Sequence, residues 1–381
     1  MRVVIAPDSF KGSCESPAAA AAIAAGWRRG APDWETVTLP VADGGEGTLH
    51  ALIGSLGGQI VRHTVTGPHG RPVDAELGLI PAEGPAGRLT GVVEMASASG
   101  LHLVDPSPES AAAATTYGTG ELIKAALDAG VERLILTLGG SATTDGGVGM
   151  AQALGVRFTS ATGARVAPGG AGLRDIATVD LAAVHPGLAR CEVIAACDVD
   201  NPLHGPRGAA RVFGPQKGAD EATVQMLDAG LCRLGEVCAL LADPASPGAG
   251  AAGGLGYAAL AFLGAELRSG FELVADAVGL GSAIAGADLV ITGEGRLDTQ
   301  SLGGKTPVGV MRLAQAQDVP VVVIAGDVSQ GASGALAAGM TAVFSASPGP
   351  GPLDDALGRV EDDLARVAES IARLWGAAAA R

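Results

Sequence analysis

The sequence predicts an α/β protein with a flavodoxin-like, doubly wound parallel sheet and a second α/β domain inserted after its second βα unit. Three observations support this fold class. Short apolar, β-branched segments alternate with Ala-rich helical segments at both ends of the 381-residue chain. The middle of the chain follows a different pattern. Only 3% of the residues are aromatic whereas 59 are glycine, so small aliphatic side chains must form the core around many tight turns.

Two βα units open the chain. The first strand is predicted at residues 2–6 and its helix at 16–29, and the second strand is predicted at 36–41 with its helix at 48–56. A polar, glycine-containing loop follows each strand. Because ligands of open parallel sheets bind at the carboxyl ends of the strands, we expect these loops to contact a ligand.

The same alternation returns near the C-terminus. Strands and helices are predicted there in turn, at residues 288–292, 307–317, 319–325, 331–338, 342–344 and 353–375. Together with the two N-terminal strands, these strands complete a five-stranded parallel sheet.

The middle of the chain is predicted to be a mixed α/β insertion. Alternating apolar residues without helices between residues 60 and 96 indicate antiparallel strands. We therefore predict a discontinuous flavodoxin-like domain, residues 1–62 and 284–381, and an inserted domain, residues 63–283. The Ala-, Gly- and Pro-rich stretch 243–256 is either a flexible connection or a glycine loop that caps the next helix.

Net charge and cysteine content limit the function classes. A formal net charge of −15 argues against nucleic acid and anionic membranes as partners, because both normally bind a Lys/Arg patch. The five cysteines form no CxxC pair and are odd in number, which predicts a reduced, cytoplasmic protein. No uncharged apolar span of membrane length is present. A monomer and a homodimer both remain open.

A glycine-rich stretch between Glu132 and Met150 is the first candidate ligand site. An apolar strand leads into the segment Gly139–Gly147, which we call the glycine loop, and a helix follows. Glycines permit close approach of a ligand, and free amides at a helix start favour an anion such as phosphate. On spacing alone, an ordinary strand-to-helix turn is the alternative. The stretch does not match the GxGxxG nucleotide fingerprint, because the final glycine is missing. The predicted cofactor-binding residues are Gly139, Gly140, Ser141, Thr144, Asp145 and Gly146.

Charged residues in several loops form the second candidate site. Carboxylates with a few cations suit phosphoryl transfer, because the acids hold Mg2+ and accept a proton while the cations offset phosphoryl charge. For each acid alone, a helix cap or an Asx-turn is the alternative. The predicted catalytic residues are Lys11, Asp43, Asp198 and Glu294. The predicted substrate-binding residues are Asp8, Ser9, Arg296, Asp298 and Lys305. Lys305 does not belong to a Walker A motif, because Thr299 occupies the place of its first glycine.

Six segments resemble the signature segments of bacterial class I glycerate kinases. They are Ala6–Gly12 (APDSFKG), Ala42–Gly47 (ADGGEG), Leu138–Gly147 (LGGSATTDGG), Cys197–Leu203 (CDVDNPL), Phe213–Gly218 (FGPQKG) and Thr292–Asp298 (TGEGRLD). The resemblance covers nearly the whole chain in the right order. It implies a flavodoxin-like domain with an inserted α/β domain, and ATP- and Mg2+-dependent phosphorylation of D-glycerate to 2-phosphoglycerate.

Within that chemistry we expect Lys11 to neutralise the transferred phosphoryl group and Asp43 or Glu294 to hold Mg2+. Asp198 is the first choice for the base, because it directly follows the apolar strand at residues 193–196. The alternatives are formation of 3-phosphoglycerate, another small hydroxy acid as substrate, and a non-catalytic metabolite-binding protein. An FMN electron carrier is disfavoured because the chain has few aromatic residues to stack on a flavin.

Overall fold

The computed structural model describes residues 1–82, 87–298, 306–328, 332–349 and 352–379. The described residues form 13 strands. In chain order they are β1 (Arg2–Ile5), β2 (Glu35–Thr38), β3 (Gln59–Thr66), β4 (Pro72–Ile80), β5 (Thr90–Glu94), β6 (Arg133–Thr137), β7 (Arg157–Thr159), β8 (Thr178–Asp180), β9 (Glu192–Ala196), β10 (Glu266–Arg268), β11 (Leu289–Leu297), β12 (Val321–Val328) and β13 (Ala342–Ser345).

The same parts of the chain form 15 α-helices. They are α1 (Ser16–Gly30), α2 (Thr48–Leu56), α3 (Met95–Ser99), α4 (Pro108–Ala113), α5 (Tyr117–Asp128), α6 (Val148–Ala153), α7 (Ala209–Phe213), α8 (Glu221–Val237), α9 (Ala251–Leu263), α10 (Gly270–Ala277), α11 (Leu280–Ile284), α12 (Thr306–Gln315), α13 (Ala332–Ala338), α14 (Leu353–Gly358) and α15 (Val360–Ala379). Short 3-10 helices lie at Leu101–Leu103, Gly170–Asp175, Pro186–Arg190 and Pro215–Lys217. Among the described residues, none of the helices combines the length and apolar character that a membrane crossing requires.

The structure corrects one predicted helix, at residues 353–375, and decides between the two alternatives for the stretch 243–256. The C-terminal helix predicted at residues 353–375 is two helices, because Arg359 has non-helical dihedrals of φ −117° and ψ 7° between α14 and α15. The preceding Gly358 is a poor helix former, which explains the break. The stretch 243–256 runs into α9, which begins at Ala251, so the structure favours the helix-capping alternative over a flexible connection.

The chain folds into two compact units. The first unit comprises Met1–Asp43, His50–Gly57 and Phe271–Arg381, and the second comprises Gly44–Leu49 and Gly58–Gly270. The predicted limit after residue 62 falls inside β3, which pairs with β4 along its whole length and so belongs to the second unit. The helices α10 and α11 lie mainly in the first unit, although the predicted limit at residue 284 assigned them to the insertion.

The first unit contains a five-stranded sheet in which every neighbouring pair is parallel. Its strand order is β13-β12-β11-β1-β2. Counted within this unit alone, the order is 5-4-3-1-2, which read from the other edge is the flavodoxin-like order 2-1-3-4-5. The predicted fold class is therefore confirmed.

Side chains on β12 show how helices cover both faces of this sheet. Val322 and Ile324 pack into the core formed with α1 and α15, which includes the buried Trp27. Val323 and Ala325, which alternate with them, pack into a second core with α12 and α13. Successive strand residues point to opposite faces, so a continuous apolar run produces a sheet that is buried on both sides.

The second unit contains a six-stranded mixed sheet with the order β10-β9-β6-β5-β4-β3. The pairs β3–β4 and β4–β5 are antiparallel, as the alternating pattern predicted, and the other pairs are parallel. A separate hydrophobic core surrounds this sheet and includes residues of α5, α6, α8 and α9. The strand β6 lies inside the sheet, which fixes the start of the glycine loop.

Candidate active site

A pocket of about 830 Å3 lies in the first unit, where β1, β11, β12 and β13 end. The parallel arrangement brings the carboxyl ends of these strands to one edge, so loops distant in sequence converge there. Seven residues that the sequence singled out line this pocket: Asp8, Ser9, Lys11, Asp43, Glu294, Arg296 and Asp298. Lys305, the remaining residue predicted in these loops, lies outside the described residues.

The carboxylate of Asp8 is the most constrained group in this pocket. Its Oδ2 accepts a hydrogen bond of 2.6 Å from the Thr306 hydroxyl, and its Oδ1 accepts one of 2.6 Å from the backbone N–H of Ser9. Burial, reinforced by the negative charge of Asp43, raises the pKa of Asp8 to about 6, against the two hydrogen bonds and the charge of Lys11. The pocket thus holds a carboxylate that is ionised at neutral pH but close to titrating.

The donors in this pocket fit a magnesium ion that is bound largely through phosphate. No group of three or more His, Cys, Asp or Glu residues among the described parts of the chain has the arrangement of a metal cage. Mg2+ commonly uses only one or two protein carboxylates together with substrate phosphates and waters. Asp43 and Glu294 supply such oxygens, and the repulsion between Asp43 and Asp8 is one that a cation would relieve.

The outer part of the pocket is more exposed. Arg296 Nε donates a 3.0 Å hydrogen bond to Asp327 Oδ2, and both side chains are largely in solvent. A surface ion pair of this kind contributes little to stability, so Arg296 can exchange this partner for a ligand at low cost. An apolar wall, which the sequence did not reveal, is formed by Phe10, Val328, Leu353, Leu357 and Val360.

The glycine loop lies in the second unit between β6 and α6. Its accessible part is short: Gly140 is exposed, Gly139 is half-buried, and Ser141 is 9% exposed. The loop then turns inward, since Thr143 and Thr144 are fully buried. Gly140 has φ +74°, a conformation that side-chain-bearing residues rarely adopt. A ligand on this loop would therefore meet the segment Gly139–Ser141.

The backbone amides at the start of α6 already bind a carboxyl group, which is that of Asp145. Its Oδ1 accepts a hydrogen bond from the N–H of Gly147 at 3.0 Å, and its Oδ2 accepts one from the N–H of Gly149 at 3.2 Å. Thr116 adds its backbone N–H to Oδ2 at 2.8 Å and its hydroxyl at 3.0 Å. The Gly146 N–H is also occupied, by the carbonyl of Gly253 at 3.0 Å.

The helix-start amides that the sequence offered to a phosphate are therefore satisfied internally. Burial raises the pKa of Asp145, against the hydrogen bonds from Thr116, Gly147 and Gly149. This geometry favours a structural role for Asp145 and Gly146, which hold the inner end of the glycine loop. Thr144 lies beside them with its hydroxyl buried and without a hydrogen-bond partner among the described residues.

Sequence reasoning missed Lys217, which lies beneath the same loop. Its ammonium group is almost completely buried and donates to Ser141 Oγ at 2.9 Å and to the carbonyl of Thr143 at 2.6 Å. Burial lowers the pKa of Lys217 to about 7, and the charge of Asp145 opposes this shift. The segment Phe213–Gly218, which was noted only as part of the resemblance, was the available signal.

Asp198 follows β9 in the second unit, as expected, and its side chain is exposed. Its Oδ1 accepts a 2.9 Å hydrogen bond from the backbone N–H of Gly270. The neighbouring Asp200 pairs with Arg207 at 2.9 Å, and Asn201 donates to the Arg207 carbonyl at 2.7 Å. Asp198 is thus held in place by backbone, while its neighbours brace the following turn.

Comparison of the sequence with known proteins shows the family of this chain. The model of the glycerate kinase family matches residues 3–376. The chain belongs to the glycerate kinase family. The glycerate kinase of Bacillus subtilis is 47% identical, and the glycerate 2-kinase of Escherichia coli is 46% identical, each over 93% of both chains.

A solved structure extends this family relationship to the fold. The crystal structure of a Salmonella typhimurium LT2 protein, provisionally assigned as glycerate kinase 2, matches with a TM-score of 0.89 and 44% identity. The match covers 100% of both chains. The glycerate kinase family assignment therefore applies to the whole chain rather than to one of its units.

Proposed function

We propose that this protein catalyses the ATP-dependent phosphorylation of D-glycerate and that the product is 2-phosphoglycerate. Membership of the glycerate kinase family supports the reaction class, and the name of the Escherichia coli relative, glycerate 2-kinase, supports the position of transfer. One observation carries the proposal: Lys11 lines the same pocket as the carboxylates of Asp8, Asp43 and Glu294. Phosphoryl transfer needs this combination of a cation, metal-holding acids and a proton acceptor.

Lys11 is proposed to neutralise negative charge on the transferred phosphoryl group. Its side chain is exposed in the pocket, and its charge already influences Asp8. In a loose transition state, charge is spread over the equatorial oxygens, so a positioned ammonium stabilises the transition state more than the ground state.

Asp43 and Glu294 are proposed to hold Mg2+. The two carboxylates would hold the ion, which when bound would supply Lewis-acid neutralisation of the negative charge that develops during phosphoryl transfer. Glu294 lies within β11, where it pairs with Ala325 of β12, so its backbone is fixed by the parallel sheet, and Asp43 lies in the loop that follows β2. The protein's part is to present two hard oxygen ligands and leave the other positions for phosphate and water.

Two carboxylates are candidates for the base that accepts the hydroxyl proton of glycerate. The structure favours Asp8, because its raised pKa of about 6 lies close to neutral pH, where a general base is most effective. The sequence favours Asp198, whose backbone is fixed at the end of β9. We propose Asp8 as the base and retain Asp198 as the competing assignment, which the variants described in the Discussion separate.

The remaining predicted site residues are proposed to bind the substrates. Ser9, Arg296 and Asp298, which line the pocket, would contact them there. Lys305, which lies outside the described residues, stays a predicted substrate-binding residue. The apolar wall that begins at Phe10 offers the kind of surface on which the adenine ring of ATP could be buried.

The glycine loop is proposed to hold an anionic group through Gly139, Gly140 and Ser141, with a phosphate of ATP preferred over the carboxylate of glycerate. These three residues form its accessible part. Direct contacts from Thr144, Asp145 and Gly146 remain a prediction, and the internal hydrogen bonds of Asp145 favour a supporting role for this part of the loop.

We infer that the protein works in a reducing compartment, the cytoplasm. All five cysteines are unpaired. Burial raises the pKa of Cys14, Cys191 and Cys238 to about 11, so these thiols stay protonated and unreactive at neutral pH.

The decisive experiment is NMR of the product formed from ATP and D-glycerate. Phosphate on the C2 hydroxyl couples to a single methine proton, whereas phosphate on the C3 hydroxyl couples to two methylene protons. We expect the methine coupling. Methylene coupling would assign the protein as a 3-phosphoglycerate-forming kinase.

Related hydroxy acids and L-glycerate should be compared in the same assay. A clearly higher kcat/KM for another hydroxy acid would change the substrate assignment. Binding of D-glycerate without any ATP turnover would instead indicate a metabolite-binding protein and overturn the proposed activity.

A further inference from the structure

Lys217 is buried without the partner that a buried ammonium normally has. Its side chain is 2% exposed, and no ion pair of Lys217 occurs among the described residues. The charge that influences it is Asp145, whose oxygens are engaged by Thr116, Gly147 and Gly149. Burying a charge against neutral acceptors alone is unfavourable, so this arrangement calls for a compensating role.

The hydrogen bonds of Lys217 leave one donor unused. An ammonium group has three N–H donors and no acceptor. Two of them bind Ser141 Oγ and the Thr143 carbonyl, and within the described parts of the chain the third has no partner. A buried donor without a partner costs free energy, which an anionic ligand could recover.

The direction of the bond to Ser141 determines what that hydroxyl can do. In its charged form Lys217 can only donate, so Ser141 Oγ then accepts this hydrogen bond. The Ser141 O–H is then left to donate, and it meets no acceptor among the described residues. Ser141 also lies directly after the exposed Gly140, at the end of the accessible part of the glycine loop.

We infer that Lys217 is a positioning residue that makes Ser141 a dedicated hydrogen-bond donor to an anionic oxygen of a substrate bound on Gly139–Ser141. The oxygen belongs either to a phosphate of ATP or to the carboxylate of glycerate. The inference rests on the proposed function and adds a residue that acts on the substrate through Ser141. A charge-assisted chain from ammonium to hydroxyl to anion is stronger than a bond from an isolated hydroxyl.

The test begins with Lys217→Met, which removes the charge and keeps most of the volume. Because the desolvation cost that disappears with the unpaired ammonium offsets the loss of its two hydrogen bonds, we expect the melting temperature to stay within a few degrees of the parent. The KM of one substrate should rise about 10- to 100-fold, whereas kcat should change much less. Lys124→Met, at an exposed lysine that pairs with Asp128, is the matched control and should leave both constants unchanged.

A double-mutant cycle with Ser141→Ala tests whether Lys217 acts through that hydroxyl. Ser141→Ala alone should raise the same KM, and adding Lys217→Met should raise it by no more than about 2-fold further. Additive effects of the two changes would overturn the inference, as would a loss of melting temperature with equal losses in kcat and both KM values. If Lys217→Met does not fold, Ser141→Ala alone still tests the inference, because unchanged KM values for both substrates in that variant would reject it.

The two sources of the anion are separated by which KM changes. A rise confined to ATP assigns the loop to phosphate, and a rise confined to D-glycerate assigns it to the carboxylate. Thermal shifts with sodium tripolyphosphate and with D-glycerate provide a readout without turnover. We expect the parent to be stabilised by one of these probes and Lys217→Met to lose that stabilisation.

This second readout keeps the inference separate from the proposed reaction. A parent enzyme that does not phosphorylate D-glycerate would refute the proposed function, while the thermal shifts would still decide the role of Lys217. Equal shifts in the parent and in Lys217→Met would refute the role of Lys217, whatever the reaction is.

Discussion

At the scale of single residues, Asp8 shows a conflict between stability and function. Burial and the charge of Asp43 disfavour its ionised form, and only two hydrogen bonds and Lys11 oppose them. The folded-state pKa of about 6 lies above the ordinary value of 3.8. Between these values the folded protein binds more protons than the unfolded chain, so this group lowers the free energy of unfolding as the pH rises from about 4 to about 6.

The change Asp8→Asn should therefore stabilise the protein at neutral pH. The amide keeps the shape and removes a charge that folding disfavours. We expect the free energy of unfolding of Asp8→Asn, relative to the parent, to increase between about pH 4 and pH 6 and then level off. Urea unfolding of both proteins across this range measures the difference. A difference that does not vary with pH would show that Asp8 titrates normally.

A comparison of two single variants, Asp8→Asn and Asp198→Asn, identifies the base. If Asp8 accepts the hydroxyl proton, Asp8→Asn should lower kcat by about 10²-fold or more, and the acid limb of the parent's kcat/KM profile should lie near pH 6. Asp198→Asn should then stay within a few-fold of the parent. The reverse pattern would transfer the role to Asp198, with melting temperatures serving as the check on folding.

Lys11→Met tests charge stabilisation in the pocket. Because the exposed ammonium makes no ion pair among the described residues, its removal should leave the melting temperature nearly unchanged. We expect kcat to fall about 10²-fold or more, with a smaller change in the KM for ATP, since the interaction strengthens in the transition state. Lys124→Met again serves as the control, and a kcat of the parent's size in Lys11→Met would remove Lys11 from the chemistry.

At the residue level, the sequence indicated which loops meet in space where strand ends determine position, whereas the roles of the residues in those loops stay predictions. Asp8, Lys11, Asp43 and Glu294 follow or end predicted parallel strands, and they line one pocket. The sequence could not indicate the roles of residues whose hydrogen-bond partners are distant in the chain and meet only in the folded protein. The hydrogen bonds from Thr116 to Asp145 join positions 29 residues apart.

At the scale of elements, the glycine loop depends on the start of α9. Ala252, Gly253 and Gly254 have left-handed φ values of 52°, 70° and 94°. A Cβ atom on Gly253 would lie 1.9 Å from the carbonyl oxygen of Thr143, the same atom that accepts from Lys217. No such contact is tolerable, so the two backbones can lie this close only with glycine at this position.

Gly253→Ala should therefore damage the glycine loop more than a left-handed alanine alone would. Gly264→Ala is the matched control, because Gly264 also has positive φ, at +61°, but would meet nothing within 4 Å. We expect the control to lose about 1 kcal/mol of unfolding free energy. Gly253→Ala should lose about 3 kcal/mol or more and raise the same KM as Lys217→Met. If urea unfolding showed the same loss of unfolding free energy in Gly253→Ala and Gly264→Ala, the glycine loop would be able to move away from the added methyl group.

Element boundaries show where pattern alone is insufficient. The five parallel strands were predictable because each is a short run that contains apolar or β-branched residues and lies next to a helix in the sequence. The break at Arg359 was missed because apolar residues continue at helical spacing through it. The role of the stretch 243–256 was undecided because glycines permit both a linker and a close backbone contact.

At the scale of the whole molecule, the order of elements was predictable and the limits of the two units were not. The change from alternating strands and helices to consecutive strands is visible in the sequence. The strand β3, however, belongs to the second unit because it pairs with β4, and the sequence pattern does not show this pairing. Pairing partners are set by the whole sheet. The net charge, by contrast, is known from the sequence alone and applies to the entire protein.

The charge of −15 should oppose the approach of the proposed substrates, which are anionic like the protein. Raising KCl from about 20 to about 200 mM shortens the Debye length from about 20 Å to about 7 Å and should screen this repulsion. We therefore expect kcat/KM for MgATP to rise a few-fold over this range, with kcat nearly constant because chemistry occurs after binding. A parallel series at constant ionic strength with added sucrose controls for viscosity. A steep fall in kcat/KM with salt would instead mean that local cations such as Lys11 and Arg296 govern the approach of substrate, despite the net charge of the molecule.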